Sequence, residues 1–334
     1  MKFMKRRALN RKIGFISLIL FVIIGSGIFY AMYVPGSTGT SYACENAKEE
    51  IQCWADLIEK TVKEDGVDDA FDIIEKLYAH NTLFTSDNCH SYVHIVGEEA
   101  YLLYASENLL ILSPKTSLCD YGFYHGFMER LVQATGSLKD AREFCNYVKG
   151  QLIGYGGSCF HGIGHGMADS HDPRVAQDPK ARIVPALALC KEISDIERER
   201  ESCFEGVFNE IASVFVLEED EISLDRNKPL AFCRIFLDPT LLHICYREFA
   251  KATLSHITEI DFLQSIKFIS DENIKDDVSA KKVVRAMAST FVLAAPRFNI
   301  TEGFSICATI EERLRDACTT GLRDGLILYG DASG

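Results

Sequence analysis

The twelve cysteines constrain this chain more than any other feature, and all of them lie beyond residue 43. Eight fall into four short-range pairs. Cys145 and Cys159, Cys190 and Cys203, Cys233 and Cys245, and Cys307 and Cys318 are separated by 14, 13, 12 and 11 positions. The surrounding stretches share one plan, as AREFCNYVKGQLIGYGGSCFHG, ALALCKEISDIERERESCFEG, LAFCRIFLDPTLLHICYRE and FSICATIEERLRDACTTG show. An apolar helix end carries the first cysteine, a polar turn follows, and the second cysteine opens another apolar helix. Such a unit is a helical hairpin whose arms are stapled near the turn.

The second cysteines recur at Cys119, Cys159, Cys203 and Cys245, in steps of 40, 44 and 42 residues, the period of a two-helix repeat. The step from Cys245 to Cys318 is 73 residues, so a unit there is longer or has lost its cysteines. The fold class predicted is all-α: disulfide-stapled helical-hairpin repeats stacked as an α-solenoid or an α/α ring. Cys44, Cys53, Cys89 and Cys119 admit three pairings, all open at this stage. Residues 49–80 read as one or two amphipathic helices. Trp54, Leu57, Ile58 and Val62 lie at helical spacing before Asp65-Gly66, and Phe71, Ile74, Leu77 and Tyr78 after it. A further helix is predicted from Ser279 to Ala295, ended by Pro296.

Paired cysteines need an oxidising compartment, and the N-terminus provides a route to one. Residues 13–34 (IGFISLILFVIIGSGIFYAMYV) are 22 positions without a charge. At about 1.5 Å per helical residue, that run spans about 30 Å of hydrocarbon. Six of the 35 basic residues and none of the 48 acidic ones fall in residues 1–34. The positive-inside rule therefore makes 1–12 a cytoplasmic basic tail and 13–34 a single-pass signal anchor. Residues 35–43 become a tether, and 44–330 an extracytoplasmic helical-repeat domain. The run exceeds the length of a cleaved signal peptide's apolar core. The remainder of the chain carries a formal charge of −19, which repels phosphate backbones and excludes nucleic acid as a partner.

Six of nine histidines fall between residues 90 and 171. His90, His94 and Glu98 stand at i, i+4 and i+8, one face of a helix, as do His161, His165 and Asp169; His125 and Glu129 stand at i and i+4. His125 and His165 both lie six residues after a second cysteine, so neighbouring repeats would present them side by side. Imidazoles and carboxylates together suit a transition metal such as zinc, iron or copper. The candidate ligands are His90, His94, His125, His161, His165, Glu98, Glu129 and Asp169, with Glu129 and Asp169 also the candidate catalytic bases. HSYVH and HGIGH lack the glutamate of HExxH, and no CxxCH, phosphate loop or nucleophile elbow occurs. Gly122, Gly162, Gly206 and Gly321 recur three residues after the second cysteine and read as close-contact positions between helices.

The sequence thus predicts a membrane-anchored metal-binding protein, with metal-assisted hydrolysis or oxidation as the reaction class of an enzyme built this way. The alternative is a non-catalytic module whose concave face holds a peptide, protein or glycan and whose histidines are structural. A third reading is a pH-sensing surface, since clustered histidines titrate between about pH 5 and 8.

Overall fold

A computed structural model describes residues 44, 49–80, 86–107, 112–152, 154, 156–169, 178–217, 224, 225, 228–252, 261–271, 274, 277–294 and 299–329. The anchor predicted at 13–34, with its tail and tether, lies outside these residues. Among those described, no helix is long and apolar enough to cross a membrane. The chain divides into two units, 1–53 and 54–334. In the first, Cys44 is bonded to Cys53, in the first turn of helix α1 (Glu50–Glu64).

The second unit is all-helical among the described residues. After α1 come α2 (Val67–His80), α3 (Ser86–Glu107), α4 (Leu118–Thr135), α5 (Leu138–Gln151), α6 (Gly156–Ala168), α7 (Pro179–Glu192) and α8 (Glu197–Leu217). Then come α9 (Pro239–Ala252), α10 (Phe262–Asp271), α11 (Asp277–Ala294), α12 (Ile300–Thr309) and α13 (Glu312–Tyr329), with 3-10 segments at Pro114–Ser117 and Pro229–Ile235. The break between α1 and α2 falls at Gly66, whose φ of +109° only glycine adopts cheaply. Trp54, Ile58 and Val62 are buried as their spacing requires, while Tyr78 turns outward. Side-chain caps start several arms: Ser137 accepts from the Asp140 N–H, and Asp178 from the N–H groups of Lys180 and Ala181.

The hairpins are those that the cysteines predict. Disulfides join α5 to α6 (Cys145–Cys159), α7 to α8 (Cys190–Cys203), the second 3-10 segment to α9 (Cys233–Cys245) and α12 to α13 (Cys307–Cys318). Closing loops of this size contributes about 3 kcal/mol each through the unfolded chain. Cys89 pairs with Cys119, tying the first turns of α3 and α4 together. The 73-residue step holds a further hairpin, α10 and α11, that lacks cysteines. The charge run at 197–201 (ERERE) is helical. It opens α8, and Glu199 is buried against Lys149 and Ser194.

The second arms form a row in which α3, α4, α6, α8, α9, α11 and α13 pack successively side by side. Glycines fix how close they come. A Cβ on Gly122 would lie 2.8 Å from the His90 carbonyl oxygen, and one on Gly126 2.1 Å from that of His94. Both contacts advance by four residues, so α3 and α4 run parallel. Gly162 meets the Tyr124 carbonyl, Gly206 that of His161 and Gly321 that of Arg285, each at 2.3 Å or less from the hypothetical Cβ. These are the glycines three residues after the second cysteines, and close backbone contact is their role. Phe123, Phe127, Met128, Phe160, Ile163, Val207, Phe208 and Ile211 fill the spaces between the arms. The polar residues of α3, α4, α6 and α8 are left as one stripe per helix, and those stripes lie next to each other.

Candidate metal centre

Parallel packing in this register converts helical spacing into a lateral row of side chains. From α3 come His90, His94 and Glu98, from α4 His125 and Glu129, from α6 His161 and His165, and from α8 Asn209 and Glu210. Three groups have one ligand atom from each residue within 4.8 Å of the others: His125, His161 and His165; His94, Glu98 and Glu129; and Glu129, His165 and Glu210. They share Glu129 and His165, so they form one connected cluster. Asp169 lies outside all three groups; it follows the end of α6 and accepts a hydrogen bond from Gln133 Nε2 at 2.7 Å.

The imidazoles of the buried set are stacked. The His125 ring lies 4.2 Å from that of His165 and 4.9 Å from that of His161, centroid to centroid. His125 and His165 are 6 % and 5 % exposed. Their hydrogen bonds decide which nitrogens can bind a cation. A carbonyl only accepts, so His90 Nδ1, 2.9 Å from the Cys119 carbonyl, carries a proton there. In neutral His90 the Nε2 is then an acceptor, and His125 Nδ1, 3.2 Å away, donates to it. That leaves His125 Nε2 with its lone pair exposed and no hydrogen-bond partner among the described residues.

His165 is fixed from the other side. Asn209 Nδ2 donates to Glu248 at 3.2 Å, which turns the amide oxygen toward His165 Nε2 at 2.9 Å. Nε2 therefore carries hydrogen, and Nδ1 faces Glu210 Oε2 at 3.1 Å and Glu129 Oε1 at 3.8 Å. Glu210 in turn holds Arg182, whose Nε donates to the Ala168 carbonyl at 2.8 Å. His94 sits between two carboxylates, Nδ1 3.2 Å from Glu98 and Nε2 3.1 Å from Glu129.

Electrostatics follow this geometry. Burial works against a charge on His94, but its hydrogen bonds to Glu129 and Glu98 hold its pKa up at about 10. Burial likewise opposes charge on His165, and the hydrogen bond and charge of Glu210 raise it nonetheless. Burial, reinforced by the charge of His165, drives His125 and His161 well below the ordinary histidine value. A proton is thus favoured on the two carboxylate-flanked imidazoles and disfavoured on His125 and His161. A divalent cation can take the place of such protons, because the same lone pairs and carboxylates serve either.

Sequence spacing does not single out Glu210, Arg182 or Glu248, and it names Asn209 only as an aligned position. A signal exists for the two carboxylates. Glu210 stands seven residues after Cys203, where the two preceding units have Gly126 and Gly166. Glu248 stands three after Cys245, where the others have the contact glycine. A carboxylate replacing a packing glycine in a repeat marks a place where the repeat has been put to another use.

Farther along this row of helices lies a groove of about 660 Å³, lined by Arg198, Glu205, His243, Arg247, Lys282 and Arg285 among others. Its charges are paired: Arg247 reaches Glu205 at 2.8 Å and Arg285 reaches Asp324 at 2.6 Å. No family model, no curated protein and no solved structure matches the chain.

Proposed function

We propose that this chain is a membrane-anchored, extracytoplasmic protein that holds a transition-metal ion on the inner face of an α-solenoid or α/α ring. The observation that carries the reading is the way two buried imidazoles are held. His90 leaves His125 Nε2 without a partner among the described residues, and Asn209 turns His165 Nδ1 to Glu210 and Glu129, where a cation can replace its proton. An unpartnered nitrogen on a buried histidine is costly unless something occupies it. The ligands are His125, His161 and His165 with Glu129 and Glu210, a nitrogen and oxygen set that suits zinc, iron or copper. His90 orients His125, and Asn209, itself held by Glu248, orients His165, each through the imidazole's other nitrogen, as metal-bound histidines require. Glu98, accepting from Arg130 at 2.7 Å, holds His94 beside Glu129, next to this ligand set. Asp169 is not a ligand in this reading.

The full-length chain, purified without a metal-affinity tag and measured by elemental analysis, is expected to carry at least one transition-metal ion. His165→Ala is expected to lower that content at least tenfold with the helical circular dichroism unchanged. Absence of stoichiometric metal, with none taken up from added zinc, would overturn the reading in favour of structural histidines. The mixed-charge groove favours that second reading, a module that binds a peptide through its charged groups.

The anchor and the compartment rest on residues 13–34 and on the six disulfides. Protease added outside intact cells, with any outer layer opened, is expected to digest the chain beyond Pro35 while residues 1–12 stay protected. Full protection of the cysteine-bearing domain would sink this topology.

A further inference from the structure

Glu129 faces a different imidazole with each of its oxygens. Oε2 lies 3.1 Å from His94 Nε2, and Oε1 lies 3.8 Å from His165 Nδ1. The two imidazoles are held on their far sides by independent systems. His165 is fixed by Asn209 and Glu248 from α8 and α9. His94 is fixed by Glu98, whose Oε2 accepts from Arg130 Nε at 3.0 Å and Nη2 at 2.7 Å. Glu98 Oε1 is then left for His94 Nδ1, and a carboxylate so engaged only accepts, so Nδ1 carries the hydrogen. Nε2 is therefore the ring position of His94 at which a cation can take the place of the proton, and it faces Glu129.

Resting on the metal reading above, we propose that Glu129 is a bridging carboxylate between two metal ions, the second bound by His94 Nε2 and Glu129 Oε2. The separations agree with this. Two donor atoms on one ion, each about 2.0–2.1 Å from it, lie about 3.0–3.4 Å apart, and His94 Nε2 and Glu129 Oε2 are 3.1 Å apart. A carboxylate spanning two ions sets them about 3.5–4 Å from each other, the arrangement that clamps an oxygen ligand between two Lewis acids. The first ion draws its remaining ligands from α4, α6 and α8, and the second its other protein ligand, His94, from α3. Glu129, on the helix between them, is the residue that both sets need. The ligand class fitting such a pair is a small oxygen donor, hydroxide or an oxyanion, in the open positions that two sparsely ligated ions retain.

The test is a zinc titration of the full chain in detergent, stripped of metal by a chelator, with bound zinc counted after gel filtration. Two zinc ions per chain are expected for the unaltered protein and one for His94→Ala. One ion per chain, unchanged by His94→Ala, overturns the bridge and leaves the single-ion reading standing; no bound zinc overturns both. Loading the unaltered chain with Mn(II) needs no variant. A spin-coupled pair, with hyperfine spacing half that of an isolated ion, is expected at saturation. An isolated-ion spectrum at saturation refutes the bridge.

Discussion

Alanine in place of Glu248 is expected to remove about 2–3 kcal/mol of folding stability, since it deletes a buried carboxylate held by charged hydrogen bonds while leaving partners that reach solvent. Glu248 is 1 % exposed on α9, and Arg247 Nε at 2.9 Å and Lys251 Nζ at 3.2 Å converge on its carboxylate. Burial disfavours its charge, but Lys251 and Arg247 more than compensate and hold its pKa near 2. The sign of the pH dependence follows from that depression. The stabilisation is complete above the unfolded-state value of about 4.5 and is lost as pH falls through 2, a loss of about 3 kcal/mol. In denaturant titrations, unaltered protein is therefore expected to weaken over that window more than Glu248→Ala does.

The same substitution frees Asn209, which fixes His165, so metal affinity is expected to fall 10–100-fold. Glu248→Gln separates the two roles. It keeps an oxygen for the Asn209 amide but loses the charge facing Arg247 and Lys251, so stability is expected to drop while most of the affinity remains. Equal affinity losses in both variants would show that Glu248 does not act through Asn209.

Gly206→Ala is expected to cost about 3 kcal/mol, because overpacking is expensive where the obstruction is backbone. Its Cβ would stand 1.9 Å from the His161 carbonyl oxygen and 3.1 Å from the Gly164 Cα, with no flexible side chain to yield. Helices α6 and α8 would have to separate, carrying His165 away from Glu210, so metal content is expected to fall with stability. Gly150→Ala is the control. It lies within α5 with nothing within 4 Å of its Cβ position, and the better helix propensity of alanine is expected to add up to about 1 kcal/mol. Similar denaturation midpoints for the two variants would refute the account of the contact glycines.

Much of the fold was legible because its signals are local. The four short cysteine pairs, the break at Gly66 and the period of the hairpins each depend on residues within about one repeat. The contact glycines were legible for a related reason, since a position that recurs in four of the five units must serve an interface those units share. Leu57 and Tyr78 show the limit. Both fit the helical period, yet Tyr78 is exposed, because spacing places a side chain on a face but not the edge at which that face ends.

The histidines show the same division more sharply. Spacing alone put His90, His94 and Glu98 on one stripe and His161 and His165 on another, because a helix turns by the same angle at every residue. It could not rank them. The partners that distinguish a ligand from an orienting group lie far along the chain: Glu210 is 45 residues from His165, Asn209 is 44, and Glu248 is 39 from Asn209. Which helix lies beside which, and in what register, is fixed by backbone contact through Gly126, Gly162 and Gly206. Only that register sets Glu129 between His94 and His165 and moves Asp169 out to Gln133. The sequence by itself determined stapled helices, each with a polar stripe, since those follow from neighbours along the chain. The tertiary structure decided which nitrogens carry protons and which carboxylates face them, since a proton's position depends on the hydrogen-bond partner across the helix interface.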